Sequence, residues 1–460
     1  MSGDLSGVSV LIAGAGLSGL AAARDLAALG ADITVVDARQ RVGGRVWTMH
    51  DGFAASQHAE AGGDMIDHDH HEFRTLAGEL GLTLARILRG GFSYVRAPGP
   101  RIVPHGAARG WNRLSDALAD LGRGYRLAEK RWDSPITADL ARRSVADWLD
   151  DVKADDDLRM TATGLRGFFL ADPEELSLLA LVDQFATDEA PAPWQSFRVS
   201  GGNDLIVTAL AKPLGDRLKL DTELVAVSYR GGGVRASIRH GKQVAQVRAD
   251  YLLFAMPASL LRRIPISPAL PAPQHDAIAR LKYGRVTKTL LQFPQRFWRV
   301  PGRALAFGSA LPFGAVWDGN EEQRGKPGIL SLMAGASSSD ATRAIVARDG
   351  IKGLVSTLDW LAPLGSLGSL GSKTGAPHEV IASKQIAWDT DPWARGGYAF
   401  FDPAFDPSLR AWLARPCGPL FFAGEHTSLQ WQGYMNGAVE SGRRAAAEIA
   451  ASHRLQPQPD

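Results

Sequence analysis

The first residues whose types and spacing suggest chemistry are Gly14, Gly16 and Gly19, which read G-x-G-x-x-G. The first glycine permits a tight turn, and the second lets a pyrophosphate approach the main chain. The third lets a helix pack closely on a strand. The N–H groups at the start of that helix, around Ser18, carry a partial positive charge suited to phosphates. Asp37 closes the next apolar run, where a carboxylate can accept hydrogen bonds from ribose hydroxyls. It would also repel a 2′-phosphate, which argues against NADP. Ala38 and Arg39 follow, then the glycine pair ending in Gly44, and Arg45. The Arg45 guanidinium can give bidentate hydrogen bonds to phosphate. Arg41 suits a solvated loop, and so does Arg39, although its place beside Asp37 keeps it among the cofactor-binding positions.

A second cluster, Asp67-His-Asp-His-His71, has the residue types of a metal site. Adjacent residues on one loop or strand point apart, whereas a metal needs lone pairs that converge. The run reads as a loop, and no metal is expected.

These groups need elements to hold them. Residues 8–13 read as a buried strand, 17–29 as a helix stopped by Gly30, and 32–37 as a second strand, which together make a βαβ unit. Strands are expected at 218–229 and 234–239 around a triple-glycine turn, and at 251–256 and 420–423. A helix is expected over 437–452. Residues 134–187 and 338–360 read as mostly helical, 286–293 and 329–333 as strands, and 365–375 as a Gly/Ser/Leu loop. The expected fold is α/β: a Rossmann-type dinucleotide-binding domain with an inserted α+β substrate domain, a mixed sheet flanked by helices. The first domain takes residues 1–85, 196–275 and 396–452. The second takes 86–195 and 276–395, and 453–460 form a flexible tail.

Bulk composition sets outer limits. In 460 residues, 51 Lys plus Arg nearly cancel 49 Asp plus Glu, and a net charge of +2 gives no reason to expect nucleic acid or an anionic membrane as partner. No uncharged apolar run is long enough to span a bilayer, and the N-terminus lacks the pattern of a signal peptide. A single cysteine, Cys417, permits no intrachain disulfide and fits a cytoplasmic location.

The G-x-G-x-x-G turn, the terminal acid and the G-G-R series together resemble the FAD-binding start of the flavin-containing amine oxidases, the group of monoamine, polyamine and L-amino-acid oxidases. Residues 420–427 and 431–442, Leu-Phe-Phe-Ala-Gly-Glu-His-Thr and Trp-Gln-Gly-Tyr-Met-Asn-Gly-Ala-Val-Glu-Ser-Gly, resemble the family's closing flavin motif. The resemblance covers nearly the whole chain in order and is loose only through 86–195. It implies FAD as the cofactor. Glu425, after Gly424, would bond the ribityl or phosphate region. Gly433, Tyr434 and Met435 would run along the isoalloxazine edge, with their N–H groups toward its carbonyl. Gly62, Gly63, Asp64 and Met65 match the family's second glycine pair beside the ring. Leu224 matches the residue whose main chain meets adenine.

The same resemblance carries the expected chemistry. Lys288 matches the family lysine that holds a water near flavin N5, where a cation assists reoxidation by oxygen. Without the resemblance, Lys288 would read as an exposed residue on an amphipathic strand. Tyr398 and Tyr434 match the pair that guides a neutral amine between two rings. Gly397 stands where some monoamine oxidases carry the cysteine that binds FAD covalently, so FAD should be non-covalent. Met65 stands where animal L-amino-acid oxidases place an arginine for the substrate carboxylate, leaving Arg113 or Arg198 as substitutes. The expected function is oxidation of an amine with an apolar or aromatic group to an imine, hydrolysed to a carbonyl compound, with O2 reduced to hydrogen peroxide. An L-amino-acid oxidase and a flavin dehydrogenase or desaturase with a protein acceptor are the alternatives. A homodimer is left open.

Overall fold

The computed structural model describes residues 5–96, 103–105, 107–128, 131–132, 134–185, 195–230, 232–361 and 379–455. The predicted loop at 365–375 lies outside the described residues.

β1 (Ser9–Ala13), α1 (Leu17–Ala28) and β2 (Asp32–Val36) form the expected βαβ unit. β1 is the middle strand of a five-stranded parallel sheet, in the order Leu218–Lys219, β2, β1, Tyr251–Phe254, Leu420–Phe422. Its strands read as continuous apolar runs because both faces are covered. One face packs on α1 and the C-terminal helix Met435–Leu455 in a common core that includes Ile12, Leu20, Ile33, Val439 and Ile449. The helix runs to Leu455, past the predicted domain end at 452, and residues 456–460 lie outside the described set.

A second, seven-stranded mixed sheet has the order Ala382–Ala387, Val286–Phe293, Gly328–Gly335, Ala315–Asp318, Ala306–Ser309, Phe92–Arg96, Val103–His105. All its pairs are antiparallel except Ala306–Ser309 with Phe92–Arg96. Helices between 107 and 185 pack together around Trp148, Leu178 and Val182. A small sheet (Ile66–Asp67, Ser196–Val199, Leu84–Ile87) carries the chain between these layers. The predicted hairpin at 218–239 is followed by a further strand, Gln243–Ala249, at the edge of a four-stranded sheet. That strand is mostly exposed on both faces, so it has no clean alternation to read.

Candidate active site

One cavity of about 2410 Å³ runs from the G-x-G-x-x-G turn to the seven-stranded sheet. It is well above the roughly 300–1,000 Å³ of a pocket for one drug-sized molecule. At its nucleotide end the three glycines differ. A Cβ on Gly14 (φ +117°) would stand 2.7 Å from the Ala255 carbonyl oxygen, and one on Gly19 would stand 2.0 Å from that of Gly14. Those two are glycines because protein presses on them. A Cβ on Gly16 would meet nothing within 4 Å. Gly16 opens α1 with no side-chain cap and faces the cavity, so what needs the space there is a ligand. A dinucleotide fits such a cradle.

Every predicted cofactor-binding residue lines this cavity except Gly19, which packs against Gly14. The contacts change several expected roles. Asp37 accepts from the Ala15 N–H (2.7 Å) and the Arg39 N–H (2.8 Å), so it ties the turn to β2 as well as facing the cavity. Arg39 is no solvated side chain, because its guanidinium forks onto Asp391 at 2.9 and 2.6 Å. Arg41 lies over the Trp47 ring at 4.5 Å. Arg45, expected against phosphate, donates to the Gly397 carbonyl and, at 3.1 Å, to Glu425. Glu425 in turn accepts from the Ala399 N–H (3.3 Å) and the Gly433 N–H (2.9 Å). The expectation that the Gly433 and Tyr434 N–H groups face the flavin carbonyl is therefore corrected. Gly433 gives its proton to Glu425, and Tyr434 gives its own to the Trp431 carbonyl at 3.2 Å. Met435 opens the C-terminal helix, where N–H groups have no intrahelical partner.

Glu425 thus braces the chain beside both tyrosines, through Ala399 next to Tyr398 and through Gly433 next to Tyr434. Replacing it with alanine leaves Arg45 and two amides without that acceptor. We expect Glu425→Ala to lower unfolding free energy by about 2 kcal/mol, discounted because Arg45 is a quarter exposed. A denaturant midpoint equal to that of the parent would show the brace to be idle.

At the other end, Tyr398 and Tyr434 both line the cavity, and both hydroxyls are anchored on the helical segment. Tyr398 donates to the Phe168 carbonyl, and Tyr434 donates to Gln184 Oε1 at 3.1 Å. Tyr434 meets His70 and Trp431 edge-on, with centroids 5.1 and 6.0 Å away. Burial raises both phenols above their ordinary range, so they stay neutral donors. Trp388, Trp393 and Trp431 also line the cavity, while Trp298 is core and bonds Asp318 at 3.0 Å. The 67–71 run borders the cavity too. His70 Nδ1 accepts from the Asp67 N–H at 3.0 Å, and burial lowers this imidazole to about 4. Among the described residues, no group of three His, Cys, Asp or Glu side chains could hold a metal.

Lys288 lies in Val286–Phe293, every residue of which is buried, and is itself only 2% exposed. Its Nζ donates to Asp64 Oδ2 at 2.8 Å and to the Gly62 carbonyl at 3.2 Å, and it sits 5.1 Å from the Trp317 ring centroid. Asp64, expected beside the flavin ring, spends its carboxylate on Lys288, Arg198 and the Trp317 indole N–H (3.0 Å). Sequence reasoning missed Phe168, Gln184, Trp317 and Asp391, none of which carries a local signal.

The model of the family described as flavin containing amine oxidoreductase matches residues 17–450. The chain belongs to that family. A relative named as a flavin-containing monoamine oxidase, AofH, of Mycobacterium tuberculosis is 29% identical over 96% of this chain and 97% of its own length. Flavin-containing amine oxidase B of Homo sapiens is 24% identical over 96% of this chain and 85% of its own. Among solved structures, the cyclohexylamine oxidase of Brevibacterium oxydans IH-35A superposes with a TM-score of 0.82 at 25% identity, covering 97% of this chain and 99% of that one. A putrescine oxidase bound to putrescine gives 0.81 at 25% identity, covering 96% and 99%.

This flavin amine oxidase has its two proposed carboxylate-binding substitutes engaged elsewhere. Arg198 is buried between Asp64 and Glu322, and Arg113 is paired with Asp155 and Asp157 on the outside. Neither lines the cavity. Among the described residues, no helix is long and apolar enough to cross a membrane.

Proposed function

We propose that this amine oxidase uses non-covalent FAD to oxidise an amine with an apolar or aromatic group, and that O2 is the electron acceptor. The observation carrying this reading is the single cavity that joins the Gly16 cradle to Lys288 and the two anchored tyrosines. Bound FAD would supply the two-electron chemistry; the chain's residues position and shield. The turn at Gly14–Gly19 and the start of α1 would receive the pyrophosphate, and Leu224 would border the adenine. Tyr398 and Tyr434, neutral and fixed by Phe168 and Gln184, would hold an uncharged amine between apolar ring faces. The imine product is hydrolysed to a carbonyl compound, and O2 leaves as hydrogen peroxide. Lys288 would place its charge where negative charge develops on oxygen.

Non-covalent attachment is supported by Gly397. A Cβ there would stand 2.4 Å from Leu170 Cδ1 and 2.8 Å from Val286 Cγ1, so even the stem of a cysteine would need room. Cys417 lies 3.4 Å from the Tyr229 hydroxyl and does not line the cavity. Acid precipitation is expected to release all flavin into the supernatant; yellow protein in the pellet would refute the claim. We also propose the discontinuous division at 1–85, 196–275 and 396–452, supported by the parallel sheet that draws strands from all three stretches.

The test of the reaction is an anaerobic screen of amines and amino acids for bleaching of the flavin absorbance. Apolar or aromatic amines are expected to bleach it. Bleaching by amino acids alone would favour the amino-acid oxidase reading, and slow recovery in air would favour a protein acceptor.

A further inference from the structure

We propose that Asp64 is the positioning residue for Lys288: clamped by Arg198 and Trp317, its carboxylate holds the ammonium at the cavity wall and keeps it charged. This rests on the reading above, in which Lys288 serves oxygen.

A lysine on an all-buried strand loses its hydration, and burial alone favours the neutral amine. The structure supplies a compensating anion 2.8 Å away, itself only 8% exposed. That anion is built to stay ionised. It accepts from Arg198 Nε, from the Trp317 indole and from Lys288, and Arg198 is anchored on its far side by Glu322 at 3.0 Å. Burial pushes the Asp64 carboxyl up, but Arg198 and Lys288 outweigh it and hold it below the usual range.

While Asp64 is ionised, the other groups facing Lys288 do not supply the anion that it supplies. Glu60, in the short strand Ala59–Glu60, accepts from the Thr48 hydroxyl (2.8 Å) and the Asn203 N–H (2.9 Å). Burial and the Asp64 charge raise it to about 8, so it is largely protonated at neutral pH. Glu322 is committed to Arg198, and Arg198 repels the ammonium. Lys288 is lowered by burial, and Asp64 is the largest influence opposing this. Two of the three ammonium N–H groups go to Asp64 and Gly62. The third is available to the cavity that Lys288 helps to line.

Removing the Asp64 charge lets Lys288 discharge at a lower pH, so a cation-dependent step fails first on the alkaline side. In flavin-free protein carrying isotope-labelled lysine, the Lys288 Nζ resonance (assigned by its loss in Lys288→Met) is expected to titrate at least about one pH unit lower in Asp64→Asn. Asp64→Glu should restore most of that difference. In flavin-loaded protein at alkaline pH, reoxidation by O2 should fall about tenfold for each pH unit by which the Lys288 titration drops, and it should recover toward the parent at acid pH. Reduction by amine should change little. An unmoved Lys288 titration in Asp64→Asn overturns the proposal. Reoxidation of Lys288→Met at the parental rate would instead overturn the oxygen role of the lysine, a separate outcome, because the titration needs no flavin. If Asp64→Asn folds poorly, Asp64→Asn/Lys288→Met, which lacks the stranded cation, is expected to be more stable; equal instability of the two also overturns the pairing.

Discussion

Gly16→Val is expected to fold and to lose its flavin. The backbone at Gly16 (φ −73°, ψ 177°) is extended and open to any residue, and a Cβ there touches no protein atom within 4 Å. The folded state should lose only the difference in helix-capping preference, about 1 kcal/mol. The ligand state differs, because the isopropyl group occupies the approach to the first N–H groups of α1. Overpacking of about 3 kcal/mol converts to about a hundredfold weaker flavin binding, and phosphate hydrogen bonds lost in addition weaken it further. Gly19→Val is the contrasting case. Its Cβ would stand 2.0 Å from the Gly14 carbonyl oxygen, so the βαβ unit itself should fail. Flavin content after purification and the thermal midpoint of flavin-free protein separate the two. If Gly16→Val retains stoichiometric flavin, the cradle has been misplaced. If it unfolds like Gly19→Val, the open space at Gly16 has a structural purpose.

The same pair of glycines shows what was legible. The G-x-G-x-x-G pattern, with flanking apolar runs and Asp37, placed a βαβ unit within a residue or two, because a turn that tight leaves few alternatives. The 286–293 strand was legible from its length and composition although every residue of it is buried, and the C-terminal helix from its alanine content. The short strands Ala306–Ser309 and Ala315–Asp318 were not. Both are fully buried, four-residue runs without alternation, defined by pairing with distant segments. The site divides in the same way. Glycines at the cavity wall, such as Gly16 and Gly63, announced themselves by type. Residues that act through a distant side chain did not. Asp64 next to two glycines suggested a cofactor contact, but its role is decided by Lys288, Arg198 and Trp317, all far away in the chain. Arg45 and Glu425 were each assigned to the cofactor separately, and no spacing could have shown that they pair with each other.

Lys288→Met should slow reoxidation by O2 about 10²- to 10³-fold while leaving reduction by amine within about threefold of the parent. One preorganised cation in a water-excluded site contributes this much where charge develops, because the buried surroundings screen it little. Methionine keeps the length and apolar stem, so the strand Val286–Phe293 should hold its register with Gly328–Gly335. Asp64 is not orphaned by the change, since Arg198 and the Trp317 N–H still engage it. A fall in rate would therefore report the missing charge and not a collapsed site. Stopped-flow mixing of amine-reduced protein with O2 measures one half of the cycle, and anaerobic mixing with amine measures the other. Equal slowing of both halves would mean that Lys288 shapes the cavity. No slowing of the oxygen step would mean that the Asp64–Lys288 pair is a structural ion pair. Removing one partner of a buried ion pair leaves uncompensated charge behind, so a purely structural pair predicts a Lys288→Met variant that is fully active but less stable than the parent.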